Sequence, residues 1–186
     1  MKIKLWMGAV GLTFCLLVQP VAAGQYEDGT AAYHRKDYQT AIRLWKPLAE
    51  QGDAKAQYNL GVIDAKGRGV PQNYAKAVKW FYKAAEQGYA KAQNNLGIMY
   101  NKGWGVTKDY VQAHMWFHLA AIRGDANAIK SYDKVSRLMT PAQIAKAQKL
   151  ANEWVAAHPK GLSGILCARP VSLLTFEPLT EDDGEL

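Results

Sequence analysis

Apolar and small residues recur at helical spacing along most of the chain. In residues 54–66, Ala56, Leu60, Gly61 and Asp64 fall on one side of a helix. Their counterparts Ala92, Leu96, Gly97 and Tyr100 do the same in residues 90–102. A glycine inside a helix costs about 1 kcal/mol against alanine, so one kept on the packed side predicts a close helix–helix approach. "KGRG" and "KGWG" then stop each helix, because glycine closes a helix C-terminus in the left-handed conformation at little steric cost. A second helix opens at Asn73 and at Asp109, whose side chains accept from free first-turn N–H groups. Tyr74, Ala77, Phe81 and Ala84 follow at helical spacing, as do Tyr110, Ala113, Phe117 and Ala120, and Gly88 and Gly124 end these helices.

The two segments are copies. Residues 54–89 and 90–125 match at 18 of 36 positions, among them "AKAQ", "NLG", "WF" and the paired alanines. A period of this size marks stacked helix-turn-helix units, each of which needs its neighbour to bury its apolar face. "DYQTAIRLWKPLAEQGD", from Asp37, aligns with the second half of the unit, with a short helix "EDGTAAYHR" and an abbreviated turn before it. Downstream, "ANAIKSYDKVSRLM" reads as a worn first helix. "TPAQ" at Thr140 carries a capping threonine, a proline at the first helical position and a capping-box glutamine. The expected architecture is an all-α solenoid of about four stacked antiparallel helix pairs. Its partial N-terminal repeat is 24–53, its full repeats are 54–89 and 90–125, and its capping pair is 126–159.

These residues resemble the Sel-one-like repeat family, relatives of the tetratricopeptide repeat. The resemblance rests on an Ala, a Leu-Gly pair, Gly-x-Gly-Val, and a Lys-Ala-x-x-Trp-Phe run ending in Ala-Ala-x-x-Gly. Asp64 departs from the pattern, which has an aromatic there as at Tyr100; a wetter core edge is the expectation. The resemblance implies a module that binds other proteins. Some cysteine-rich relatives are described as β-lactamases, but they carry cysteine pairs within each repeat, and this chain does not.

Both ends differ from the repeats. Lys2 and Lys4 precede an apolar run from Leu5 to Val18, and small residues Val21 and Ala23 follow Pro20. This is the layout of a secretory signal peptide spanning 1–23, cut near Ala23; an uncleaved inner-membrane anchor is the alternative. The expected location is therefore periplasmic or secreted. Cleavage would leave one cysteine, Cys167, unable to form an internal disulfide. In the tail, 160–186, an apolar stretch holding Pro170 leads to Glu177, Glu181, Asp182, Asp183 and Glu185. The formal net charge is +7, and residues 24–160 hold 20 basic against 11 acidic groups. Such a body suits an acidic partner, its own tail included. The tail is expected to occupy the basic inner groove of the solenoid and regulate access, to pair with a partner, or to stay disordered. Nucleic acid is not expected, since the lysines are scattered and no basic run interleaves with aromatics.

Candidate chemistry is sparse. The turns lack the strand, the glycine spacing and the Lys-Ser/Thr of a phosphate loop. His114 and His118 lie four apart, but they align with Val78 and Tyr82 and lack a third ligand, so packing is expected and no metal or cofactor is assigned. Ser163 misses the nucleophile-elbow pattern by one position, and Ser131, Ser136 and Ser172 have no hydrolase setting. No catalytic residue is expected. The candidate binding face lies opposite the packed side of the first helices: Lys55, Tyr58, Asn59 and Val62, with their copies Lys91, Asn94, Asn95 and Ile98. The asparagine amides both donate and accept and so suit a peptide backbone. Trp104, which replaces Arg68 in the turn, is a candidate exposed contact or a packing residue. The expected function is an exported scaffold for an unidentified protein or peptide. The competing classes are a hydrolase of cell-wall or β-lactam substrates and a secreted host-interaction factor.

Overall fold

The computed structural model describes residues 19–159, with side chains from 24 onward; the expected signal cut, Cys167 and the acidic tail lie outside the fully described residues. Eight helices and no strands occur among them: α1 (Gln19–His34), α2 (Tyr38–Glu50), α3 (Ala54–Lys66), α4 (Tyr74–Glu86), α5 (Ala90–Lys102), α6 (Tyr110–Ala121), α7 (Ala126–Ser136) and α8 (Pro141–Ala157). None of the described helices is long and apolar enough to cross a membrane. The all-α solenoid reading holds. Helices α1/α2, α3/α4 and α5/α6 form hairpins, and each second helix packs on the first helix of the next pair.

The caps explain the helix ends. Asn73 Oδ1 accepts from Lys76 N at 2.9 Å, and Asp109 Oδ1 accepts from Val111 N and Gln112 N. Gly67 and Gly103 close α3 and α5 in the left-handed region, at φ 63° and 73°. The helix-interior glycines have the predicted packing reason. A Cβ at Gly61 would stand 2.6 Å from Phe81 Cδ1, and one at Gly97 2.6 Å from Phe117 Cδ1. Each glycine seats a buried ring from the partner helix, a burial worth about 1.5–3 kcal/mol. Gly29 receives Trp45 in the same way, so α1 is a full first helix, longer than the short segment read from sequence.

The C-terminal pair departs from a repeat. α7 and α8 each pack mainly on α6 instead of forming a hairpin with one another, although Gln148 hydrogen-bonds Tyr132. α8 lays Trp154 against Trp116 at a ring separation of 6.2 Å, and Trp154 Nε1 donates to Glu86 Oε1 at 3.0 Å. Arg123 extends its guanidinium over the Trp154 ring at 5.1 Å and donates to Leu119 O. The Thr140 capping box starts α8 as expected: Thr140 N donates to Gln143 Oε1 at 2.9 Å, and Gln143 N to Thr140 Oγ1 at 3.3 Å. Thr140→Ala removes this cap and should lower stability by about 1 kcal/mol in urea denaturation.

Candidate functional site

The candidate face on the first helices is built from links between repeats. Asn59 of α3 donates through Nδ2 to the Tyr26 hydroxyl of α1 at 3.1 Å. Asn95 of α5 hydrogen-bonds the Tyr58 hydroxyl of α3. Each asparagine thus holds the tyrosine one repeat earlier, and the glycine register (Gly29, Gly61, Gly97) puts Tyr26, Tyr58 and Asn94 at equivalent positions. Burial raises the Tyr58 pKa, while the Asn95 bond opposes that shift. Tyr58 also packs on Phe81 and Tyr89, with ring centroids 5.9 and 5.3 Å away.

The eight residues read from sequence therefore divide. Lys55 and Lys91 are exposed, and Asn59 and Asn95 are half-buried between them. Tyr58 and Val62 are half-buried against the core around Phe81 and Leu96, and Ile98 against Phe117. Asn94 is a correction: it is 7% exposed, and its Oδ1 has no hydrogen-bond partner among the described residues, so it does not belong to the open face. Its counterparts Tyr26 and Tyr58 are larger and only half-buried. Beside Lys55, a cleft of about 570 Å³ is walled by Tyr26 and Tyr89.

Two glutamines escaped notice. Gln57 Nε2 donates to Ala49 O at 2.9 Å, and Gln93 Nε2 to Ala85 O at 3.1 Å. Both add a second donor to carbonyls in the last turn of the preceding helix, which also accept from Gly52 N and Gly88 N, and so fasten each repeat to the one before. Their repetition within "AKAQ" was the available signal. Ile129 takes the position in α7, where no such bond can form.

A larger opening lies on the second helices. A groove of about 720 Å³ runs between α2 and α4, with Ile42 on one wall, Trp80 on the other, and Leu60 and Ile63 on its floor. Lys46, Lys76, Lys79 and Lys83 also line it, and all four are exposed. Asp64 lies at the end nearest Lys76. Burial raises its carboxyl pKa, and the Lys76 charge pulls it back. The wetter edge expected at this departure from the pattern is therefore an open groove. In the next repeat, Tyr100 fills the corresponding place and packs into the core.

His114 and His118 are 0% and 9% exposed and pack on the Tyr132 ring at 4.2 and 5.6 Å. Burial and the neighbouring His118 push the His114 pKa down to about 4, and burial lowers that of His118. Among the described residues, no three side chains of His, Cys, Asp or Glu cluster as metal ligands. Trp104 is 41% exposed and stacks on Tyr74 of the preceding repeat, with centroids 5.1 Å apart at 13°. Arg68 does the same work one repeat earlier, over Tyr33 and Tyr38.

The Sel1 repeat family matches residues 22–53, 54–89 and 90–125. A solved structure of c5321, a protective antigen of uropathogenic Escherichia coli with an SLR fold, superposes at a TM-score of 0.73. The two are 28% identical over 80% of this chain and 33% of that one, so this chain spans about a third of the antigen's length. A Sel1 repeat protein from Oxalobacter formigenes superposes at 0.56 with 34% identity, over 61% of this chain and 88% of that one. No curated protein matches the sequence. The chain belongs to the Sel1 repeat family, whose repeats typically build scaffolds for protein–protein interaction.

Proposed function

We propose that the protein is an exported scaffold that binds another protein or peptide through its first-helix face, in an adapter or regulatory role. The observation that supports this reading is the row Lys55, Asn59, Lys91 and Asn95. The tyrosine bonds fix both asparagines in place, and the lysines beside them remain exposed. Side chains already held in position lose little freedom on binding, which favours affinity. Two cations flanking two amides suit an extended segment bearing a carboxylate. Export rests on the signal-like N-terminus, with a mature chain starting near Gly24.

The test is a crosslinked pull-down from periplasmic extract, comparing wild type with Lys55→Glu/Lys91→Glu. These exposed lysines leave the Asn–Tyr links intact, whereas truncating Asn59 or Asn95 would break them. A protein retained by wild type and lost by the double variant is the expected result. Equal retention by both would remove the first-helix face from the reading, and mass spectrometry of the bait showing an uncut N-terminus would point to the anchored alternative in place of a cleaved chain. Likeness to a protective antigen favours a second reading, a secreted factor acting on host cells. Binding of the labelled mature chain to host cells would distinguish it.

A further inference from the structure

Two neighbouring surfaces between second helices have different fates. Between α4 and α6, α8 lies over Trp116 and leaves it 2% exposed. The equivalent residue one repeat earlier, Trp80, lines the groove between α2 and α4 and remains half-buried. The chain thus covers one such surface with its own C-terminal helix and leaves the adjacent one open among the described residues.

The end of α8 lies beside the open groove. His158 Nε2 is 3.2 Å from Glu86 Oε2, at the C-terminus of α4, one turn beyond Lys83. His158, one residue before the last described position, therefore lies at the end of α4, the helix that forms one wall of the groove. Residues 160–170 can span up to about 36 Å when extended, and α4 is only about 20 Å long, so reach is ample. Chemistry matches as well. The segment "VSLLTFEPLTEDDGE", residues 171–185, joins Leu173, Leu174 and Phe176 to five carboxylates. The groove has an apolar floor and lysines on both walls. Among the described residues none of Lys46, Lys79 and Lys83 has an ion-pair partner; Lys83 lies only over the Trp80 ring, at 4.8 Å.

We propose that the α2–α4 groove is a binding site for an apolar–acidic segment and that its occupant is this chain's own residues 171–185. Leu173, Leu174 and Phe176 cover the Trp80 side of the groove, and the acids that follow meet Lys46, Lys79 and Lys83, away from Asp64. Docking extends the cover that α8 begins. The inference is independent of the first-helix face and stands or falls separately from it.

The test uses the full chain with Phe176 replaced by photoreactive benzoylphenylalanine, irradiated when dilute and mapped by mass spectrometry. Intramolecular crosslinks to α2 and α4 around Ile42 and Trp80 are expected. Their yield should fall about tenfold in Lys46→Glu/Lys79→Glu, which removes more than 1.4 kcal/mol of charge complementarity. Changing Glu181 and Asp182 to lysine in that variant should restore it. Both substituted lysines are exposed, and an unchanged circular dichroism spectrum confirms the fold. Crosslinks to the first-helix face, crosslinks only between copies, no crosslinks, or a yield indifferent to charge reversal would each overturn the proposal.

Discussion

Gly105→Ala should be among the most damaging single substitutions in the molecule, lowering stability by about 3 kcal/mol or more. Gly105 has φ 72°, in the left-handed region, where an alanine costs about 1–2 kcal/mol. Space adds to this penalty. A Cβ would stand 2.4 Å from Tyr74 C and 2.6 Å from Ala75 N, which are backbone atoms at the start of α4. A side chain can rotate away, but the first turn of a helix cannot move without shifting the repeat. Gly103→Ala offers the contrast. Its φ is similarly positive, but its nearest contact is Lys108 Cβ at 3.3 Å, which a small shift relieves, so about 1–2 kcal/mol is expected. Thermal melts should show a shift of about 10 °C for Gly105→Ala and a few degrees for Gly103→Ala. Equal shifts would mean that only backbone conformation matters and that the contact with α4 does not.

Acid should unfold this protein through its core histidines. His114 has a folded pKa of about 4 against 6.5 for an unhindered imidazole. In the unfolded chain it takes a proton as pH falls through 6.5; in the folded chain it resists until about 4. Its contribution is fully present above pH 6.5 and is lost progressively down to about 4, by about 3 kcal/mol at most. The shift of His118 has the same sign. Asp64 acts oppositely: its raised carboxyl pKa favours the folded state once it is protonated. Urea denaturation at pH 7 and pH 4.5 should show a large loss for wild type and a clearly smaller one for His114→Leu. The variant should be no less stable at pH 7 by more than about 1 kcal/mol, because neither ring nitrogen of His114 has a hydrogen-bond partner among the described residues. Parallel pH curves for the two proteins would show that His114 is not the group that titrates.

The candidate face was only partly readable from sequence. Spacing along a helix places Lys55, Asn59, Lys91 and Asn95 on the less packed side, and there they are. It cannot say that the tyrosine of one repeat receives the asparagine of the next, because that bond joins residues 33 positions apart across two helices. Asn94 was placed on the open face for the same reason. Its helical angle is right, but its depth depends on neighbours that a single helix does not contain.

Sequence alone determined what is local and periodic: the repeat, the helix ends at Gly67 and Gly103, the caps at Asn73, Asp109 and Thr140, and the family. These features follow from backbone conformation and hydrogen bonds within a few residues, which the residue types specify directly. Tertiary structure decided the rest. It made the second glycine of "KGWG" a contact with the preceding repeat, turned the "AKAQ" glutamines into fasteners between helices, laid α8 across Trp116, and opened the groove that Tyr100 fills one repeat later. Each of these depends on distances between helices, and those are fixed only when the apolar faces of successive repeats are packed together.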